Sequence, residues 1–358
     1  MHRLRSFVLA AALVVASAAS AGEYLITGNE IAGRATVTDA GGGKVHVQAQ
    51  VKGFGKDGRS GTWNGDGTLG ASGLTFRAQG TNRVLTPGAK GVLSGKLGGG
   101  TQTWTPAPST KGVVILVVPG LSTNGWNKVG IPYLDENLAA LQAFGYSARR
   151  LAIKTEDGVA KNAEFIDGQI KSEAAKGNKV ILFAHSKGAV DSTAAIALDP
   201  ALVPLVHGLI AIQPVWGGSP MAEMVKSSKL LDAAVKLVIE QVFKGQNDAV
   251  LDLDFQRRHD FVAKNVYPVA KVPTVVVRST FNRSVSKSPL WANQKYITAK
   301  YKKANDGMVM IADQQIPGAA ATIDLENMDH FEPGLRNESK NTPLIVTSQA
   351  LLALISKM

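Results

Sequence analysis

The stretch Ala184-His185-Ser186-Lys187-Gly188 constrains the fold of this chain more than any other feature. It follows the apolar run 180–183 and precedes the helix-like run 189–195. A serine in a sharp turn between a strand and a helix has a strained backbone that leaves its hydroxyl exposed above the sheet. Small neighbours such as Gly188 let the strand and the helix pass close together. The pattern predicts that Ser186 is a nucleophile at the end of a strand.

The first 21 residues have the pattern of a secretory signal peptide. Arg3 and Arg5 precede the apolar run 7–16, and small residues follow as a cleavage site. The apolar run is too short to span a bilayer well. We expect cleavage after Ala21, with a cut after Ala18 as the alternative, and an exported protein that is secreted or periplasmic.

Composition excludes several classes of function. The chain has no cysteine, which rules out disulfides, a thiol nucleophile and a lipoprotein anchor. Its net charge of +11 is spread along the sequence without a dense basic block, so nucleic acid is not an expected partner. A lipid surface or the cell envelope remains a possible contact, and the oligomeric state is left open.

Residues 22–100 read as a small all-β domain, and 101–112 as a linker. The region 22–112 holds 22 of the 37 glycines and few long apolar runs. The segment 44–51 alternates between apolar and polar residues, as in a half-buried strand. Trp63 and Phe76 favour a folded sandwich or partial barrel over a disordered glycine-rich segment. No chemistry is expected in this domain.

The pattern changes at Val113, where a second domain, 113–358, begins. Apolar strands alternate with helical segments, which predicts an α/β fold with a mostly parallel, doubly wound sheet. The predicted strands are 113–118, 147–153, 179–184, 207–212, 274–279 and 322–325, and the predicted helices are 133–144, 159–175 and one that runs to about Leu198. Ligands of such sheets bind at the carboxyl ends of the strands, where Ser186 would lie.

A serine nucleophile needs a base, and three histidines follow Ser186 in the sequence. His207 begins a strand, and His259 lies among charged residues. His330 comes shortly after the last predicted strand, which is where a base would lie beside Ser186. We therefore predict His330 as the general base.

The base in turn needs an orienting carboxylate, for which the chain offers four aspartates after strand 274–279. Asp324 lies within a strand, Asp313 lies in an apparent helix, and Asp329 adjoins the histidine too closely to reach under its ring. Asp306 begins a turn that leads into apolar residues. Asp306 is the predicted acid, with a surface Asp-Gly turn as the alternative interpretation.

Two backbone N–H groups are needed to bind the oxyanion of a tetrahedral intermediate. One is predicted at Lys187, directly after the nucleophile. The other is predicted in the loop after strand 113–118, at Leu121 or, as second choice, Ser122, where Gly120 allows a close backbone approach. The Lys187 side chain itself is expected to be exposed.

Residues 113–358 resemble bacterial secreted lipases and carboxylesterases of the α/β-hydrolase superfamily. The resemblance rests on the motifs at 118–121, 184–188, 212–220, 305–309 and 328–330. It implies a triad of Ser186, Asp306 and His330 and an oxyanion donor at Leu121. Pro119-Gly120 stands where many of these lipases have His-Gly, and Phe331-Glu332-Pro333 replaces the aspartate that binds structural calcium in some of them. Neither a metal nor another cofactor is therefore expected.

The long insertion 213–270 contains apolar residues at helical spacing within 222–243. One interpretation is a lid over an acyl pocket, as the resemblance implies, and the other is a fixed cap helix. The sequence favours a secreted serine hydrolase that cleaves carboxylic esters, with lipid-like esters as the expected class, through an acyl-enzyme. The alternatives are a polyester depolymerase or acyltransferase with the same triad, or a non-catalytic envelope-binding protein on a hydrolase fold.

Overall fold

The computed structural model describes residues 19–56, 58–98, 100–121, 123, 130–227, 247–282, 288–336 and 342–358. Most of the predicted signal peptide, most of the predicted lid helix and Ser122 lie outside these residues. The chain divides into two compact units: residues up to Val51 and Arg59–Pro108 form the first, and Lys52–Gly58 and Ser109–Met358 form the second. None of the described helices is long and apolar enough to cross a membrane.

The first unit is a closed eight-stranded barrel with its strands in sequence order. The strands are β1 Gly22–Gly28, β2 Ile31–Gly41, β3 Lys44–Gly53, β4 Gly61–Gly70, β5 Gly73–Ala78, β6 Thr81–Pro87, β7 Leu93–Leu97 and β8 Gly100–Ala107. Strand β1 pairs with both β2 and β8, which closes the barrel and leaves no open edge.

Aromatic side chains fill the barrel, and glycines let its strands approach. Trp104 is fully buried and stacks on Trp63, with 6.4 Å between ring centroids. A β-carbon added at Gly65 would lie 1.8 Å from the carbonyl oxygen of Arg77. The glycine richness of this region therefore reflects close approach of neighbouring strands rather than disorder.

The predicted linker 101–112 is wrong over most of its length, because it contains strand β8. Gln102 and Trp104 point into the barrel, whereas the threonines between and beside them are more exposed. This alternation is that of a half-buried strand, and it outweighs the prolines that suggested a linker. The segment that connects the two units is correspondingly short.

The second unit is a six-stranded parallel sheet in the order β10-β9-β11-β12-β13-β14. Its strands are β9 Val113–Val118, β10 Ser147–Arg150, β11 Lys179–His185, β12 Val206–Ile212, β13 Thr274–Thr280 and β14 Ala321–Glu326. The described helices are α1 Asp135–Ala143, α2 Val159–Ala174, α3 Lys187–Leu198, α4 Pro220–Ser227, α5 Asn247–Leu251, α6 Phe255–Lys264, α7 Trp291–Tyr301 and α8 Thr342–Ile355.

Helices cover the sheet, which explains its continuous apolar strands. One face of β11, with Val180 and Leu182, packs with residues of α2 and α3 in a single core. Helix α8 packs against β12, where Leu354 fills the space beside Gly208. The predicted fold class, an α/β sheet of this kind after an all-β region, is confirmed.

Candidate active site

Ser186 lies in a sharp turn between β11, at the centre of the sheet, and α3. Its backbone has φ 57° and ψ −125°, a conformation that L-residues rarely adopt. A β-carbon added at Gly188 would lie 2.5 Å from the carbonyl oxygens of both Val118 and Pro119. The glycine therefore permits α3 to start close against the end of β9, and the turn carries the Ser186 hydroxyl to the carboxyl end of the sheet.

The structure brings Ser186, His330 and Asp306 together in one hydrogen-bonded row. His330 Nε2 is 2.8 Å from Ser186 Oγ, and His330 Nδ1 is 2.7 Å from Asp306 Oδ2. All three side chains are buried, with Ser186 8 % exposed. Because Asp306 can only accept, it fixes the proton on Nδ1 and leaves Nε2 free to take the serine proton.

The loop after α7 holds the Asp306 carboxylate in place. Oδ1 accepts the backbone N–H groups of Met308 and Val309 at 2.9 and 2.7 Å, which leaves Oδ2 directed at the histidine. The Asp306 carbonyl accepts the backbone N–H of His330 at 3.0 Å. The acid and the base are therefore joined by two hydrogen bonds, one between side chains and one between backbones.

The other candidate acids have different partners. Asp324 is exposed on β14 and forms two 2.7 Å hydrogen bonds with Arg278. Asp329 Oδ1 accepts the backbone N–H groups of Phe331 and Glu332, so it caps the turn after the histidine. Asp313 lies in a turn, not in the helix that the sequence suggested.

The two remaining candidate bases lie away from the nucleophile. His207 is near the start of β12, at the opposite end of the sheet from Ser186, and burial followed by the charge of Lys179 lowers its pKa. His259 lies in helix α6. Of the three histidines after Ser186, only His330 contacts it.

The predicted oxyanion loop lies against the nucleophile. A β-carbon added at Gly120 would lie 3.0 Å from the Ser186 β-carbon, so this backbone passes directly beside the serine. Thr123 Oγ1 donates to the Gly120 carbonyl at 2.8 Å and holds the turn that contains Leu121. Lys187 is the first residue of α3, so its N–H lies at a helix N-terminus, which favours negative charge.

The expectation of an exposed Lys187 side chain is wrong. Its ammonium is buried and lies 2.9 Å from both oxygens of Asp191, which also accepts a hydrogen bond from Asn162. Burial raises the pKa of Asp191, and the Lys187 charge opposes that rise. The spacing of four residues on one helix is the sequence signal that could have indicated this pair.

Sequence reasoning also missed a buried polar group next to the triad. His185 lies within hydrogen-bond distance of the Tyr133 hydroxyl, the Gln213 side chain and the His330 carbonyl. Burial and, secondarily, the charge of His330 lower the pKa of His185 to about 3, so its ring is neutral. A buried histidine directly before the nucleophile was visible in the motif, but its partners come from three distant segments.

Among the described residues, no group of three or more histidines and carboxylates is placed to hold a metal ion. The absence of a cofactor from the reaction stays a prediction. The carboxylate of Asp329, which is close to the base, instead serves the local turn and accepts a hydrogen bond from Ser288.

No protein-family model matches this sequence, and no curated protein matches it. Solved structures do match. The metagenomic carboxyl esterase MGS0156 is similar over 76 % of this chain and 81 % of its own, with 23 % identity and a TM-score of 0.59. The Bacillus licheniformis lipase BlEst2 in its mature form is similar over 68 % and 94 %, with 22 % identity and a TM-score of 0.52.

Lipase 1 from Pelosinus fermentans is similar over 67 % of this chain and 98 % of its own, with 14 % identity and a TM-score of 0.51. At these identities the likeness concerns the fold. The resemblance that the motifs suggested is confirmed at that level: the second unit of the chain has the α/β-hydrolase fold found in bacterial lipases and carboxylesterases.

Proposed function

We propose that this protein is an exported serine hydrolase that cleaves carboxylic esters, with lipid-like esters as its substrate class. The observation that carries the proposal is the 2.8 Å contact between Ser186 Oγ and His330 Nε2, with Asp306 on the other ring nitrogen. A serine hydroxyl becomes an effective nucleophile only beside a base held in the correct tautomer, and this arrangement provides one.

The reaction follows from the positions of these atoms. Ser186 Oγ attacks the ester carbonyl carbon while His330 Nε2 takes the hydroxyl proton. The tetrahedral intermediate collapses as His330 returns that proton to the leaving alcohol, which leaves an acyl group on Ser186. A water molecule then attacks the acyl carbon while His330 takes its proton. His330 returns this proton to Ser186 Oγ as the acyl–oxygen bond breaks, which releases the carboxylic acid and regenerates the free serine.

The negative oxygen of each tetrahedral intermediate needs fixed donors. We assign this role to the backbone N–H groups of Leu121 and Lys187, which flank Ser186 from the oxyanion loop and from the start of α3. The helix N-terminus adds a favourable partial charge at the same place. Such donors are aligned before the reaction begins and therefore cost no reorganisation as charge develops.

Partly exposed apolar side chains in the loops around the catalytic residues support an apolar acyl group. Leu121 follows the glycine that contacts Ser186, Met308 lies two residues after the acid, and Trp216 follows β12. All three pack on the main core and stay partly exposed, as expected of residues that line an apolar site. Two of the similar structures reported above are lipases by name, which is consistent with this substrate class.

A panel of p-nitrophenyl esters of increasing acyl length, combined with labelling by a fluorophosphonate, tests the proposal. We expect turnover by the wild type and covalent labelling that is lost in Ser186→Ala, with the rate reduced by about 10³-fold or more. Near-normal hydrolysis by a folded Ser186→Ala protein would sink the proposal.

Export by the N-terminal segment is part of the proposal, and the structure bears on where cleavage occurs. Ala19 is buried in the barrel core, and the Tyr24 hydroxyl donates to the Ser20 carbonyl at 2.5 Å. Cleavage after Ala18 would keep both contacts, whereas cleavage after Ala21 would remove them. The N-terminal residue of the exported protein, read by mass spectrometry, distinguishes the two sites.

A further inference from the structure

The hydrolase reaction as described makes no use of His185, although this residue is the direct neighbour of the nucleophile. Its ring is buried at the end of β11, and its centroid lies 5.1 Å from that of His330. Burying an imidazole is costly unless its nitrogens find partners. Both His185 nitrogens do, and the partners come from three segments: Tyr133 before α1, Gln213 after β12 and the loop that carries His330.

Only one assignment of donors and acceptors is consistent with the hydrogen bonds around His185. The Gln213 side-chain nitrogen donates to Ser279 Oγ and, at 2.9 Å, to the carbonyl of Asp329, so Gln213 Oε1 is an acceptor. His185 Nε2 lies 3.0 Å from that oxygen and 3.0 Å from the carbonyl of His330. Because both are acceptors, Nε2 must carry the proton.

The opposite ring nitrogen must then accept. The Tyr133 hydroxyl donates a hydrogen bond to His185 Nδ1. Burial raises the pKa of Tyr133 well above its ordinary value, while the charge of Arg150 and a hydrogen bond from the backbone of Gly120 oppose the rise. Tyr133 is therefore a neutral donor to His185 whose oxygen faces the loop that holds the predicted oxyanion donor Leu121.

We propose that His185 and Gln213 are positioning residues, which hold the carbonyls of His330 and Asp329 and so fix the base against Ser186, while Tyr133 links His185 to the oxyanion loop. The inference rests on the proposed function. Two consecutive carbonyls of one loop are bound by two neighbouring side chains, so the backbone of the base cannot rotate without breaking both contacts. Misplacement by about 1 Å is enough to slow such a reaction about 100-fold.

The neutrality of His185 suits this role. During acylation His330 becomes an imidazolium, and a second positive ring 5 Å away would oppose that charge. Since burial lowers the pKa of His185 to about 3, its ring stays neutral near neutral pH. His185 can therefore donate to the carbonyl of His330 without competing with His330 for the Ser186 proton.

The test compares two substitutions at one position. A glutamine at 185 carries an amide nitrogen that can reach the place of Nε2 and donate to the His330 carbonyl, whereas a leucine fills similar space without a donor. We expect His185→Leu to lower kcat by about 10- to 100-fold with little change in KM, and His185→Gln to recover most of the loss. If His185→Leu does not fold, Tyr133→Phe takes its place in the test. This variant removes only the hydroxyl and should give a smaller loss of kcat.

A readout independent of turnover is the downfield proton resonance of His330 Nδ1–H, which reports the contact with Asp306. We expect this signal to broaden or move in folded His185→Leu and to return in His185→Gln. His207→Leu is the matched control, because it makes the same substitution near the start of β12, at the opposite end of the sheet from Ser186. This control should keep both kcat and the resonance.

The outcomes separate the inference from the function on which it rests. If the wild type neither turns over esters nor reacts with a fluorophosphonate, the proposed function fails, and the resonance still tests the positioning. An active wild type with an equally active His185→Leu, or a leucine variant that glutamine does not rescue, overturns the positioning role.

Discussion

The barrel and the hydrolase unit differ most in what they bury. In the described part of the barrel, Gln102 is the single buried polar side chain, and it donates to the Leu97 carbonyl and accepts from Trp104. The hydrolase unit buries many, among them Ser186, Asp306 and His330. Burial of polar groups is costly unless they are paired, so a concentration of buried polar side chains is typical of the unit that carries a functional site.

The location of these groups is as informative as their number. Ser186, Gln213 and His330 follow the carboxyl ends of parallel strands, His185 is the last residue of β11, and Asp306 reaches the same edge from the loop after α7. A barrel whose strands run up and down offers no such edge, and its interior is filled by apolar rings. We therefore expect the proposed reaction to depend on the second unit alone, and the following changes test that expectation.

The largest effect is expected for the base. His330→Ala should lower kcat/KM by about 10³-fold or more, because nothing else can take the Ser186 proton. His259→Ala should leave the rate close to that of the wild type, since this residue does not contact the triad. Steady-state kinetics on one soluble ester check both, and a dead His259 variant beside an active His330 variant would reverse the assignment.

A smaller but still large effect is expected for the acid. Asp306→Asn replaces an oxygen that accepts from His330 Nδ1 by an amide that favours the wrong tautomer, so kcat should fall by about 10²- to 10⁴-fold with little loss of stability. Asp324→Asn, at an exposed ion pair, is the control. Normal kinetics in the Asp306 variant would show that another carboxylate orients the base.

The barrel should respond in stability rather than in rate. Trp104→Ala removes the central ring of the aromatic core and should destabilise the barrel by about 3–5 kcal/mol. Under conditions in which the hydrolase unit stays folded, kcat per fluorophosphonate-reactive site should not change. Denaturant unfolding combined with active-site titration measures both quantities, and a fall in kcat per site would mean that the barrel contributes to catalysis.

The last effect is on acid stability and accumulates over several pH units. The pKa of His185 falls from 6.5 to about 3 on folding, so the unfolded chain binds a proton in this range that the native protein does not. Stability is therefore lost as the pH falls from 6.5 towards 3, at up to about 1.4 kcal/mol per pH unit from this residue. Unfolding free energies of the wild type and His185→Gln across these pH values should diverge, with the steeper dependence in the wild type.

The sequence predicted most of the hydrolase fold, because continuous apolar runs identify strands buried on both faces. The helix 159–175 and the strand 179–184 match α2 and β11 within one residue. Ser186, Asp306 and His330 could be named because each follows a strand or a turn with a recognisable local pattern. In the structure these three side chains form a hydrogen-bonded row.

What the sequence could not predict depends on distant partners. The burial of the Lys187–Asp191 pair depends on the packing of α2 against α3, which brings Asn162 to Asp191. The role of β8 depends on pairing with β1 across the whole unit, whereas its prolines and threonines suggested a connection. Local patterns identify elements well, but they do not show which elements meet.

The closure of the barrel by its first and last strands bears on the order in which the chain folds. Glu23 pairs with Ala107, more than 80 positions later, so the ring cannot close until the end of β8 has emerged. Until then β1 and the most recently emerged strand both present unpaired edges, which invite association with other chains. Long-range closure of this kind is slow. We therefore expect closure of the barrel to limit how quickly newly synthesised molecules reach their folded state.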